Sequence, residues 1–134
     1  MGLKIGFTGT SKGMTQHQKD QLKEFISSVD VVSFSHGDCI GADAEAHDIL
    51  RDLNLLNKVR IHPPKDAKKR AFCEGAKTVC PEKAYLDRNH DIVDEGIDLL
   101  IAAPGSRNER LRSGTWATVR YARSLNRTVK LLEA

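Results

Sequence analysis

The segment Thr8-Gly9-Thr10-Ser11-Lys12 carries groups that bind anions in proteins. Its small residues let a ligand approach the backbone N–H groups closely, and Lys12 adds a positive charge. The segment lacks the glycine spacing of ATPase phosphate loops and of dinucleotide-binding loops. It therefore predicts an anion-binding turn outside those two classes, with a glycine-rich turn that binds nothing as the alternative.

A second turn of this kind lies in the segment LRSGTWATVRYA, after a loop that begins at Pro104. Ser113, Gly114 and Thr115 look like a helix start, where exposed N–H groups bind anions. Trp116, the only tryptophan, follows inside that helix. Its position favours packing in the core or against a second subunit over stacking on a nucleobase.

The segment HGDCIGAD holds two glycines and two carboxylates within eight residues. Gly37 and Gly41 permit unusual backbone angles, and Asp38 lies between them. Asp43 falls in the first turn of a predicted helix, where it either caps the helix or accepts hydrogen bonds from a sugar hydroxyl. His47 lies four residues further on the same helical face and is expected to be a structural partner of Asp43.

Arg88 and Asn89 lie early in another predicted helix. A guanidinium group suits bidentate binding of phosphate. We expect Arg88 to reach the rim of a site, where its replacement would weaken ligand binding with little loss of stability. The alternative is a surface ion pair with Asp91 or Glu95.

The apolar pattern alternates between short β-branched runs and longer amphipathic segments. It predicts strands at 3–8, 31–34, 58–61, 97–102 and 128–132, and helices at 15–28, 42–53, 85–95 and 114–125. Thr15 is the expected N-cap of the first helix. The stretch 62–81 has no periodicity and is expected to be irregular.

This alternation predicts one α/β domain over residues 1–134. We expect a Rossmann-like, doubly wound, five-stranded parallel sheet in the order 3-2-1-4-5, with helices on both faces. In that order, the loops after strands 1 and 4 meet at a crevice, where such folds bind ligands. Phosphate is then expected near the glycine turns and Arg88, and a sugar near Asp38 and Asp43.

The net charge of +3 and the 5% aromatic content argue against a nucleic-acid-binding surface. The basic run 65–70 is interpreted as a solvated loop. No membrane span, signal peptide or cofactor motif is evident. Three cysteines without a CxxC pair are typical of reduced thiols in a cytoplasmic protein, and Cys73, Cys80 and His62 match no common zinc spacing, so no metal is expected.

Together, TGT, HGDCIGADAEAH, RN, APGS and SGTWATVRYA resemble the SLOG superfamily over about residues 3–132. That superfamily also contains the LOG phosphoribohydrolases and the DNA-processing protein A family. The resemblance is to its small stand-alone members, and it implies a Rossmann-like fold, a nucleotide or nucleotide-derived ligand, and a homodimer. Arg88 falls where the LOG arginine is expected, whereas the LOG signature glutamate falls at Thr118.

Three functions follow from this resemblance. The first is the binding or sensing of a nucleotide-derived small molecule. The second is hydrolysis of the N-glycosidic bond of nucleoside monophosphates, with Asp43 or Glu109 as the carboxylate and Arg88 holding the phosphate. The third is single-stranded DNA binding. The threonine at position 118 favours the first, because a hydroxyl cannot stabilise a developing positive charge as a carboxylate does.

Overall fold

A computed structural model describes residues 2–105 and 113–134 as an α/β fold with one all-parallel sheet. Six strands lie in the order β4-β3-β2-β1-β5-β6. The strands are β1 (Leu3–Gly9), β2 (Val31–His36), β3 (Val59–Ile61), β4 (Thr78–Val79), β5 (Leu99–Ala103) and β6 (Thr128–Leu131). The helices are α1 (Gln16–Ser28), α2 (Ala42–Asp52), α3 (Tyr85–Asp94) and α4 (Gly114–Ser124), with a 3₁₀ turn at Leu56–Lys58.

The prediction of five strands in the order 3-2-1-4-5 is wrong in count and order. The additional strand β4 lies inside the stretch 62–81, which was expected to be irregular, and it pairs with β3 at the sheet edge through Arg60 and Thr78. Two residues are too few to show an alternating pattern, so only the pairing with β3 identifies this strand. The five predicted strands keep the expected neighbours.

Helices cover both faces of the sheet, and each face has its own apolar core. Alternate residues of the central strands point to opposite faces. Ile101 of β5 packs in the core that contains Leu22 of α1 and Leu50 of α2. Leu100 packs with Val119 of α4 and with Val93 of α3 on the other face. This two-sided burial explains why the strands read as continuous apolar runs.

Two predicted helix starts are present. Thr15 Oγ1 accepts a hydrogen bond from the Gln18 N–H, and Gln18 Oε1 accepts one from the Thr15 N–H, which completes a capping box. Ser113 caps α4 through the Trp116 N–H at 3.3 Å. Within the two described ranges, no helix is both long and apolar enough to cross a membrane.

The sheet order sets the place of the site. Strand β1 lies between β2 and β5 and is parallel to both. After β1 the chain runs toward β2, on one side of β1, and after β5 it runs toward β6, on the other side. A crevice between the two loops is the geometric result.

Candidate functional site

A cavity of about 350 Å³ opens at the carboxyl ends of β1, β2 and β5. This volume lies at the lower end of the range of small-molecule sites. Its lining residues are Thr8, Gly9, Thr10, Ser11, Cys39, Ile40, Asp43, Lys69, Tyr85, Arg88, Asn89, Ser113, Gly114 and Thr115. The turn after β1, the start of α2, the start of α3 and the start of α4 thus meet around one space, as the strand order requires.

Arg88 is buried against the cavity wall rather than placed at the rim, with 3% of its surface exposed. Its Nη2 donates to Cys39 Sγ at 3.1 Å, and its Nη1 lies 3.7 Å from Asp43 Oδ2. The surface alternative is wrong, because Asp91 pairs with Lys83, and Glu95 pairs with Arg60 and His62. Because Arg88 is buried beside Asp43, the small stability cost that was expected for its removal is replaced by the expectation of a large one.

Gly37 makes room for the buried guanidinium. A Cβ atom at this position would overlap Arg88 Nη1 and would also come within 3.0 Å of Asp43 Oδ2. Any side chain there would push Arg88 out of its place. The missing side chain of Gly37 therefore leaves the space that the Arg88 guanidinium fills. This role depends on a contact between residues that are distant in sequence.

Gly41 serves a different purpose, since it begins α2 with φ +93°. A Cβ atom here would overlap the carbonyl of Ser11, and L-residues rarely adopt this φ. The close approach brings the turn after β1 against the start of α2, where the Ala42 N–H donates to the Thr10 carbonyl at 3.0 Å.

Asp43 faces the cavity from the first turn of α2 and is 4% exposed. Burial raises its pKa from 3.8 to about 6, and the attraction of Arg88 opposes part of that shift. Its Oδ2 accepts a hydrogen bond from the Cys39 N–H at 3.2 Å. The carboxyl therefore takes up a proton at a higher pH than an exposed aspartate does.

Three buried polar atoms of cavity-lining residues have no hydrogen-bond partner in the described part of the chain. They are Asp43 Oδ1, Arg88 Nε and Asn89 Nδ2. Buried polar groups are almost always hydrogen-bonded, and an unpaired one costs about 1–3 kcal/mol. These atoms, one acceptor and two donors, belong to residues that line one cavity, which makes them candidates for contact with a bound polar molecule.

Not every predicted site residue lines the cavity. The residues outside its lining are Lys12, Gly37, Asp38, Gly41 and Pro104. Lys12 is exposed, and its N–H donates to Thr10 Oγ1 at 3.2 Å. The Pro104 carbonyl accepts from Gln18 Nε2 at 3.0 Å. Asp38 is completely buried and bonds to residues 70–73, away from the cavity. Glu109 lies outside the described residues.

Four lining residues were not among the predicted ones: Cys39, Ile40, Lys69 and Tyr85. Tyr85 precedes Arg88 by three residues, which places both on one face of α3, and this spacing could have identified it. The Arg88 Cζ lies 4.8 Å from the Tyr85 ring centroid. Lys69 was assigned to a solvated loop, and no local pattern distinguishes it from the lysines beside it.

Neither Trp116 nor Thr118 of α4 is part of the cavity lining. Trp116 is 4% exposed and packs in the core with Val119, as the packing interpretation predicted. Thr118 Oγ1 donates to the Gly114 carbonyl at 2.9 Å. The Thr118 hydroxyl is therefore bonded to its own helix.

His36, His47 and Cys73 bring three potential metal-ligand atoms within 4.8 Å of one another. Hydrogen bonds nevertheless occupy all four ring nitrogens. His36 Nδ1 accepts from the Asp38 N–H at 2.9 Å, which leaves the His36 proton on Nε2 to be donated to His47 Nδ1 at 3.0 Å. His47 Nε2 then donates to the Glu74 carbonyl at 2.6 Å. The pair thus acts as a neutral structural link, and His47 partners His36 rather than Asp43.

We expect chelator treatment to leave the melting temperature of the purified protein unchanged. A metal on His36 Nε2 would require an imidazolate, because Nδ1 already accepts a hydrogen bond from the Asp38 N–H. Calorimetry before and after dialysis against EDTA measures this. A melting temperature that falls on dialysis and recovers with Zn²⁺ would contradict it.

Comparison with known proteins finds no family model and no curated protein that matches this chain. The cavity and the residues around it therefore carry the functional argument. Its strongest features are the three unpartnered atoms and the helix starts that surround them.

Proposed function

We propose that this protein binds a nucleotide or a nucleotide-derived small molecule in the cavity. The observation that carries the proposal is the group of unpartnered atoms on Asp43, Arg88 and Asn89. A hydroxyl both donates and accepts, so the hydroxyls of a ribose can satisfy the acceptor Asp43 Oδ1 together with the donors Arg88 Nε and Asn89 Nδ2.

Charge balance supports an orientation of the ligand in the cavity. Arg88 already lies beside the Asp43 carboxylate, which would repel a phosphate bound at the same place. The first N–H groups of α4, at Gly114 and Thr115, have no partner within the helix and carry the positive end of its dipole. Phosphate therefore belongs at α4 and the turn after β1, and the sugar at Asp43.

The resemblance of the motifs to the SLOG superfamily supports the same ligand class. Four of the segments that carry the resemblance contribute to the cavity lining: Thr8 to Thr10, Cys39 with Ile40 and Asp43, Arg88 with Asn89, and Ser113 to Thr115. The proposal is tested by native mass spectrometry of freshly purified protein, followed by calorimetric titration with the four ribonucleoside 5′-monophosphates. Absence of any bound nucleotide and of any heat of binding would refute it.

Asn89→Leu is expected to weaken binding of such a nucleotide at least tenfold, about the effect of losing one buried hydrogen bond and its desolvated partner. Because Asn89 Nδ2 has no hydrogen-bond partner among the described residues, the substitution should lower the unfolding free energy only slightly. Isothermal titration and urea denaturation measure the two effects. A large loss of stability with unchanged binding would mean that Asn89 is structural only.

Asp43 favours N-glycosidic hydrolysis as the second candidate function. Its Oδ1 is unpartnered, and its pKa of about 6 leaves a carboxylate at neutral pH that can accept a proton from water or stabilise positive charge on the sugar. Chromatography of ribonucleoside monophosphates incubated with the protein would then show free base. Release should rise as pH passes upward through 6 and be absent from Asp43→Asn.

A further inference from the structure

Residues 66–74, which we call the strap, lie across the loop that follows β2. The Ile40 N–H donates to the Lys69 carbonyl at 3.0 Å, and the Ala71 N–H donates to the Asp38 carbonyl at 2.7 Å. Cys39 and Arg70 form an isolated antiparallel bridge between the two segments. The strap is therefore held in a definite register against one wall of the cavity.

Asp38 holds the strap in that register through its side chain. Its side chain is completely buried and accepts from Arg70 Nε at 2.9 Å and from the Cys73 N–H at 2.8 Å. It adopts φ +54°, a conformation that aspartate tolerates better than most residues. With Arg70 turned inward to Asp38, the neighbouring Lys69 is the strap residue that lines the cavity.

Among the described residues, Lys69 is the cation of the cavity lining that pairs with no carboxylate. The charged residues of the lining are Asp43, Lys69 and Arg88, and the first and last pair with each other. In the described ranges Lys69 forms no ion pair, and its Nζ lies 5.4 Å from the Tyr85 ring centroid. A Cβ atom at Gly114 would overlap the Tyr85 hydroxyl, so this ring touches the start of α4.

We propose that Lys69 binds a phosphate group of the ligand at the mouth of the cavity, between the strap and the first turn of α4. The inference rests on the proposed function and deepens it, because it divides the site into a cationic mouth and a charge-balanced interior. The strap is then the element that selects phosphorylated over unphosphorylated ligands. Arg88, Asn89 and Asp43 remain for the uncharged part.

Calorimetric titration of Lys69→Gln, with Lys69→Arg and Lys68→Gln as comparison variants, tests this. Lys68 is the exposed neighbour on the same strap and lines no part of the cavity. The probes are inorganic pyrophosphate, the four ribonucleoside 5′-monophosphates and the four ribonucleosides. We expect Lys69→Gln to weaken binding of the phosphorylated probes at least about tenfold, as for loss of a charge-assisted hydrogen bond, and to leave ribonucleoside binding unchanged.

Lys69→Arg should retain most of the affinity, and Lys68→Gln all of it. Equal effects of Lys69→Gln and Lys68→Gln, or none, would overturn the role of Lys69 and leave nucleotide binding standing. Pyrophosphate binding that depends on Lys69, without any nucleotide binding, would support the role of Lys69 and refute the nucleotide proposal. A wild-type protein that binds none of the probes would overturn both.

Discussion

Gly37→Ala is expected to weaken nucleotide binding by at least about a hundredfold, the largest effect on binding that we predict. The added Cβ overlaps Arg88 Nη1, so the guanidinium must leave its place and Asp43 loses its partner. Two charge-assisted contacts to the ligand are then lost together, and each is worth about 1.5–3 kcal/mol. Titration with the ribonucleoside monophosphate that binds the parent protein measures the change.

Gly96→Ala is the matched control for this substitution. Gly96 has φ +89°, so alanine there is strained, but a Cβ atom would meet nothing within 4 Å. We expect some loss of stability and unchanged affinity, whereas Gly37→Ala should lose affinity while circular dichroism still shows a folded protein. Wild-type affinity in Gly37→Ala would remove Arg88 and Asp43 from the site.

Arg88→Ala is expected to lower the unfolding free energy by about 3–5 kcal/mol at pH 8, because it leaves the Asp43 carboxylate buried and unpaired. Without Arg88, the pKa of Asp43 rises above its present value of about 6. The folded variant then holds a proton that the unfolded chain, with a pKa near 3.8, has released. Its stability should therefore fall as pH rises from 5 to 8.

Arg51→Ala provides the comparison for that experiment. Arg51 also pairs with a helical carboxylate, Asp48 at 2.8 Å, but both side chains are exposed. Such pairs are worth about 0–1 kcal/mol, so this variant should unfold close to the parent at every pH. Urea denaturation of both variants at pH 5 and pH 8 separates the two cases. Equal losses would show that the Asp43 pair is not stabilising the fold.

Local patterns were sufficient for the helices and for five of the strands. The Thr15 capping box and the Ser113 cap are contacts between residues three apart, so they can be read from spacing alone. The two-sided core also follows from the apolar runs. These features were enough to predict where the crevice lies and which turns line it, since the carboxyl ends of neighbouring parallel strands must lie at one edge of the sheet.

Features that depend on contacts distant in sequence could not be predicted in this way. Strand β4 is defined by its pairing with β3, and Lys69 lines the cavity on a strap that Asp38 holds through Arg70 and Cys73. The burial of Arg88 depends on the missing side chain of Gly37. None of these pairings leaves a periodic signal, which is why an arginine expected at the rim lies in the wall.

The unpaired atoms of the cavity have a consequence for the life of the protein in a cell. A chain with desolvated, unsatisfied groups on Asp43, Arg88 and Asn89 opens more readily than the same chain with its ligand, because binding to the folded state alone shifts the folding equilibrium by mass action. Proteases act on the opened form. Under the proposed function, the cellular amount of this protein would therefore rise and fall with the supply of the nucleotide that it binds.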